Sequence, residues 1–250
     1  MQPPRHAYVI VGAGLAGAGT AWHLQRRGIE DVVILERESV PGAHSSGRNA
    51  AIVRASMDDP RLQTLADRSA AALRTGRLGA LFRRTGGVLA PRGRDDVRAW
   101  MPLCRGTGTY QPDDGVMDVA GLLATYLRGT RVLYDTTVAS FAQTADGIRI
   151  ETNHGPLDAD VLVNAAGAWA GELADLPVQP TNRHLFVSEA DPAIDPDWPY
   201  VWDLDAGYYL RPESGGLLLS ACDETPAPAG EPATIDPAVI ELLATKLRTH

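Results

Sequence analysis

Lysine is almost missing from this sequence: Lys246 is the only one among 23 basic residues. With abundant alanine beside so much arginine, this reads as a compositional bias and carries no chemistry of its own. Cysteine occurs twice, at Cys104 and Cys222, far apart and at no metal-binding spacing. Two free thiols are therefore expected, without a disulfide framework or a structural metal. No apolar run approaches the roughly 18 residues of a membrane span. The opening Met1 to His6 leads straight into a strand pattern, with no charged-then-apolar leader, so a cytoplasmic protein is expected. Positive charge is also in deficit. The net charge of −8 argues against nucleic acid as a partner. Internal repeats and a Ser-His-Asp pattern are likewise lacking.

What is present is ordinary for a globular protein. Of 250 residues, 44% are apolar and 22% charged, enough for one large domain or two small ones. The 25 glycines and 18 prolines predict many turns but fall short of a low-complexity chain.

Ala7 to Val11 is a short apolar run of the buried-strand type, and Gly12-Ala13-Gly14-Leu15-Ala16-Gly17 follows at once. Ala18 to Arg27 reads as a helix with Gly28 as its stop, and Asp31 to Leu35 as a second buried strand. Strands so apolar need cover on both faces, which predicts a doubly wound α/β core. Further on, Arg61 to Arg84 reads as one long helix, Gly86 to Ala90 as a strand and Pro91 to Asp114 as irregular. Ala120 to Leu127 is helical, Arg131 to Tyr134 extended, and Asp146-Gly147 the turn of a hairpin. Val161 to Asn164 is another buried strand. A mixed region, Pro177 to Pro232, holds Tyr208 to Pro212 and the strand Gly216 to Ser220, and Pro237 to Arg248 is a final helix.

The glycine run carries the chemistry. Gly12 permits a tight strand-to-helix turn, Gly14 lets the backbone approach a pyrophosphate, and Gly17 lets helix and strand pack closely. The helix N-terminus offers free N–H groups and partial positive charge to phosphate. Glu36 ends the next strand, about 20 residues on, where an acid accepts ribose hydroxyls and disfavours a 2′-phosphate. This fingerprint alone leaves FAD and NAD open.

The rest of the chain resembles the FAD-dependent D-amino-acid oxidase superfamily, which includes glycine and sarcosine oxidases and amino-acid dehydrogenases. The resemblance runs from Gly12–Gly17 and Glu36 through His44-Ser45-Ser46-Gly47-Arg48-Asn49-Ala50-Ala51, which is similar to the segment beside the flavin. It continues through Asp113-Asp114-Gly115-Val116-Met117-Asp118 to Val161–Ala170, similar to the strand and turn that close over the nucleotide.

It implies an α/β fold: a Rossmann-like FAD-binding domain (1–85 plus 115–176), an inserted mixed-sheet substrate domain (86–114 plus 177–235) and a terminal helix (236–250). FAD contacts are implied for Gly12, Gly14, Leu15, Ala16, Gly17, Glu36, Arg37, Ser45, Ser46, Arg48, Asn49, Ala50, Val138, Ala165, Gly167 and Trp169. Trp169 reads as core before a stacking partner, and His44 and His184 read as surface residues before catalytic bases. Substrate contacts are implied for Arg54, Arg211 and Tyr209. Arg54 is the first choice for holding a carboxylate in its guanidinium fork, whereas Arg211 reads as a strand-end residue before a substrate contact. Tyr208 and Tyr209 should point to opposite faces of a strand.

The implied reaction is oxidation of the C–N bond of an amino acid or secondary amine by hydride transfer to flavin, with a small-molecule substrate and no nucleic acid or membrane span. Relatives continue beyond the point matching His250, so the chain reads as lacking a C-terminal segment or a partner chain that supplies it. The alternatives are a non-catalytic FAD-binding fragment, or one piece of a split flavoprotein, and an NAD-dependent dehydrogenase.

Overall fold

Tyr8-Val9-Ile10-Val11 is apolar on both sides of its pleat, and it lies in the strand β1 (Arg5–Val11) inside a six-stranded sheet. The computed structural model describes residues 3–230 and 234–249. The ends of the expected segments at 1–2, 231–233 and 250 lie outside the described residues. β1 runs parallel to β2 (Val32–Leu35) on one side and to Leu157–Asn164 on the other. Arg131–Leu133 extends the parallel part beyond β2. At the other edge, Val138–Thr144 and Gly147–Thr152 form the expected antiparallel hairpin.

Helix α1 (Leu15–Gln25) begins earlier than the sequence suggests, because the Ala18 N–H closes the first turn on the Gly14 carbonyl at 2.9 Å. Gly17 therefore lies inside the helix. α1 packs beside the helix Val119–Leu127, with Trp22 and Tyr126 rings 5.3 Å apart. Ile10, Ile34 and Ala13 point toward these helices, and Val9, Val33 and Leu35 toward the opposite face. That opposite face shares its core with Val138, Ile148 and Ile150 of the hairpin. The antiparallel edge of the same sheet thus packs on the face for which the sequence predicts helices.

The chain divides into two units. The first holds the described residues of Met1–Asn49 with Val119–Pro180 and Pro228–Gly230. The second holds Ala50–Asp118 and Thr181–Ala227 with the described part of Glu231–His250. Residues 50–85, expected with the nucleotide domain, thus belong to the second unit. The cause is strand pairing: Ile52–Val53 and Phe82–Arg83 flank Gly115–Met117 in a three-stranded sheet. The long helix expected over Arg61 to Arg84 is broken. Pro60–Leu73 is helical, Gly76 turns left-handed at φ +56°, and a short turn of helix, Gly76–Gly79, precedes Phe82–Arg83.

The second unit is built on a seven-stranded mixed sheet. Its order is Phe186–Val187, Gly216–Ser220, Tyr208–Glu213, Tyr200–Asp203, Gly87–Ala90, Thr107–Gln111 and Asp95–Asp96. Thr107–Gln111 lies in the stretch expected to be irregular; Gly108 lets it sit against Val88 and Val97, where a side chain would collide. Val88, Val201, Tyr208 and Leu210 share one core with the final helix, Pro237–Thr249, which contributes Val239 and Leu243. That helix is therefore part of the second unit. Tyr200, Trp202 and Tyr209 alternate with these core residues and occupy the other face of the sheet. Cys104 and Cys222 are both free thiols, as expected, and burial pushes the Cys104 thiol up to about 11.

Candidate functional site

The glycine run, β2 and the loop after it enclose a cleft of about 370 Å³ within the first unit. Three glycines shape it. Gly12 has φ +102°, and a Cβ there would lie 2.5 Å from the Ala165 carbonyl oxygen. A Cβ on Gly17 would overlap the Gly12 carbonyl. A Cβ on Gly14 would lie 2.9 Å from Ser46 Oγ. The floor is thus bare backbone that only glycine permits, and it ends at the N-terminus of α1, where helical N–H groups lack intrahelical partners. Ser46 Oγ already accepts one of these, from Leu15, at 2.9 Å.

Glu36 lies at the inner end of the cleft and is buried. Its Oε2 accepts from the Ala13 N–H at 2.7 Å and its Oε1 from the Glu38 N–H at 2.9 Å. A carboxylate has about four acceptor positions, so two remain for hydroxyl donors. The same bonds tie the glycine loop to β2. Glu36 therefore shapes the loop as well as facing the cleft.

The rim is an aromatic and charged cluster. The Arg37 guanidinium stacks 3.7 Å from the centre of the Trp169 ring, and the His44 ring lies 4.7 Å from it. Glu38 Oε1 meets both Arg37 Nε at 3.0 Å and His44 Nε2 at 2.8 Å. Hydrogen bonds from His44 and Arg37 hold the Glu38 carboxyl below its usual range. Trp169 is half-buried in this rim, which corrects the reading of it as core.

Of the expected cofactor residues, Gly12, Gly14, Ala16, Glu36, Arg37, Ser45, Ser46, Val138, Ala165, Gly167 and Trp169 line the cleft. Leu15 takes part through its N–H and Gly17 through packing alone. Arg48 is exposed and off the lining, because the turn spends its backbone on His44. Asn49 braces the same turn by donating to the Ser46 carbonyl at 2.7 Å. Ala50 belongs to the second unit. Thr136 and Thr137, which are absent from the expected set, also line the cleft, with the Thr136 N–H bonded to the Glu36 carbonyl at 2.8 Å. Their position just before Val138, at the end of a strand neighbouring β2, was the available signal.

The second unit places the expected substrate residues on its sheet face. Arg54 lies 4.5 Å over the Trp202 ring and makes no ion pair among the described residues. Trp202 in turn lies 4.9 Å from the buried ring of Tyr209. Desolvation raises the Tyr209 hydroxyl above its ordinary range. Arg211 is different. It is buried, and each of its three nitrogens already donates: Nε to the Ala50 carbonyl, Nη1 to the Pro212 carbonyl and Nη2 to Glu213. It serves as a strut, since its fork is spent on the protein. His184, expected at the surface, is largely buried and paired with Asp223 at 2.7 Å. Among the described residues no group of three His, Cys, Asp or Glu side chains could hold a metal, and no helix is long and apolar enough to cross a membrane.

The cradle and the acid fit an adenine dinucleotide: bare backbone where a Cβ would intrude, and a carboxylate with acceptor positions left. Comparison with known proteins agrees. A family profile described as FAD dependent oxidoreductase matches residues 7–108 and 83–250. The mitochondrial dimethylglycine dehydrogenase of Rattus norvegicus is 28% identical over 263 residues, covering 84% of this chain and 30% of that protein. This chain therefore spans about a third of the length of such curated relatives. Among solved structures, the L-proline dehydrogenase of P. horikoshii superposes with a TM-score of 0.86 at 18% identity, covering 99% of this chain and 77% of that one. The glycine oxidase of Geobacillus kaustophilus gives 0.74 at 21%, covering 97% and 77%. At such identities these structures speak for the fold.

Proposed function

This chain belongs to the family of FAD dependent oxidoreductases, and from that premise we propose that it oxidises the C–N bond of an amino acid or secondary amine that carries a carboxylate. The first unit is the FAD domain in this reading, and the second is the substrate domain. FAD, when bound, supplies the two-electron acceptor. Gly12, Gly14 and the α1 N-terminus hold the pyrophosphate, Glu36 accepts the ribose hydroxyls, and the Arg37–Trp169 rim flanks the cleft.

One observation carries the substrate class. Arg54 is a half-buried guanidinium that makes no ion pair among the described residues; it donates to Met57 Sδ at 3.5 Å and lies over Trp202, whose ring adjoins Tyr209. A planar fork of N–H donors beside apolar rings suits a carboxylate attached to a small hydrocarbon body. Dimethylglycine, proline and glycine, in the names of the relatives above, share that chemistry. The reaction asks little covalent work of the protein. The hydride that a neutral primary or secondary amine gives up from the carbon next to nitrogen would pass to FAD, when bound; the N–H proton of the iminium would pass to solvent, and water would split the imine to a carbonyl compound and an amine. The residues bind and orient.

The chain is titrated with FAD and with NAD, then mixed anaerobically with N-methyl amino acids, proline and methylamines. FAD should bind in preference to NAD, and the visible flavin absorption should bleach with the carboxylate-bearing amines. Preference for NAD, or no bleaching with any amino acid, would overturn the reading.

A further inference from the structure

Asp114 is among the most buried charged residues of the second unit, and nothing in the proposed reaction uses it. Its Oδ2 accepts from the Tyr200 hydroxyl at 2.6 Å. Its Oδ1 accepts from the Ala55 N–H at 3.1 Å and faces Arg74 Nη2 at 3.5 Å. Tyr200 is fully buried, and it fits only because Gly87 on the neighbouring strand has no side chain. Burial and the Asp114 charge both push the Tyr200 hydroxyl far above its ordinary value, so it remains a donor.

The two ends of this arrangement matter. Ala55 follows Arg54 directly, and Tyr200 is two residues from Trp202 on the same sheet face. One carboxylate thus fixes the backbone that carries the guanidinium and the strand that carries the ring beneath it. The chain before Arg54 is held equally firmly. Ala51 sits at φ +57°, a conformation costly for a residue with a Cβ. The Ala50 carbonyl is bonded to Arg211 Nε at 2.5 Å and the Ala51 carbonyl to the Met117 N–H at 2.9 Å. Strained backbone persists where its surroundings over-determine it, and here they lead into Arg54.

We infer that Asp114 is a positioning residue, which through Ala55 and Tyr200 holds Arg54 over Trp202 in the geometry that receives a substrate carboxylate. The inference rests on the proposed role of Arg54. An Arg side chain left free has many rotamers, and fixing it in advance removes that entropy cost from binding. Arg74 differs from Arg54 in being paired, its Nη2 lying 3.5 Å from Asp114 Oδ1.

Acetate serves as the probe and acetamide as its uncharged control, with binding to the intact chain followed by tryptophan fluorescence. A Trp202→Phe variant identifies the reporting ring. The parent should respond to acetate and not to acetamide, and Arg54→Ala should lose the response. Asp114→Ala should weaken acetate about tenfold. Asp114→Asn should stay within about threefold, because it keeps an oxygen for the Ala55 N–H while its amide N–H donates to the Tyr200 hydroxyl oxygen, reversing that bond. Tyr200→Phe, which preserves the ring, should weaken acetate several-fold and serves if Asp114→Ala does not fold. A purely structural role would lower the melting temperature of Asp114→Ala while the folded protein bound acetate like the parent. That result, with Arg54→Ala still defective, overturns the positioning role and leaves the carboxylate anchor standing. An unaffected Arg54→Ala, or a parent blind to acetate, overturns both.

Discussion

Ser46 Oγ accepts the Leu15 N–H at 2.9 Å and lies 2.9 Å from the position of a Cβ on Gly14. A side chain at residue 14 therefore displaces Ser46 from the first turn of α1 before it meets any ligand. Gly14→Val should weaken FAD by more than tenfold, a loss above about 1.4 kcal/mol. Gly14→Ala with Ser46→Gly should recover part of that loss, because the smaller residue 46 makes room. Fluorescence titration with FAD checks both. A single Gly14→Val variant that binds like the parent would remove the loop from the site.

Glu36 combines two roles that one substitution cannot separate. Losing charge-assisted bonds to the Ala13 and Glu38 N–H groups is worth roughly 1.5–3 kcal/mol, so Glu36→Ala should melt earlier even without FAD. Its FAD affinity should fall about 10- to 150-fold. Glu36→Gln keeps one oxygen acceptor and should fall between Glu36→Ala and the parent in both melting and affinity. A melting temperature unchanged by Glu36→Ala would contradict the loop-bracing bonds.

Two arginines of the second unit should respond oppositely. Arg54→Ala should raise KM for a carboxylate-bearing amine on the order of 30- to 1000-fold, for about 2–4 kcal/mol of lost ion pairing. Its KM for a simple amine should barely move, and its melting temperature should match the parent's. Arg211→Ala removes donors from the Ala50 and Pro212 carbonyls and from Glu213. It should cost about 1–3 kcal/mol of stability and affect both amine classes alike. Equal effects of Arg54→Ala on the two amines would sink its role.

The His184–Asp223 pair makes stability depend on pH. The Asp223 hydrogen bond raises the His184 pKa above its ordinary 6.5, helped by the Thr234 carbonyl and the Asp236 charge and opposed by partial burial. A raised folded pKa means that the stabilisation is fully present below about 6.5 and is lost as pH rises through the higher folded value. Asp223→Asn should thus lower the melting temperature most in mild acid, and the gap to the parent should shrink in mild base. A gap that widens with pH would contradict the charged pair.

The glycine-shaped cleft was legible from spacing. Gly12, Gly14, Gly17 and Glu36 are local features: a turn, a helix start and a strand end lie within one βαβ segment, so spacing alone places them. That Tyr208 and Tyr209 take opposite faces was legible for the same reason, since the strand pleat has period two; that Tyr208 is the one in the core came from the fold. Whatever depends on distant partners came only with the fold. Residues 50–85 joined the second unit because Ile52–Val53 and Phe82–Arg83 pair with Gly115–Met117. The helix expected over Arg61 to Arg84 gave way at Gly76, where periodicity does not register the left-handed turn. Arg54 and Arg211 are indistinguishable as letters. Only the fold spends the donors of Arg211 on Ala50, Pro212 and Glu213, and leaves Arg54 over Trp202 with no ion pair among the described residues, because a guanidinium is available for a ligand only when no nearby carbonyl or carboxylate has claimed it.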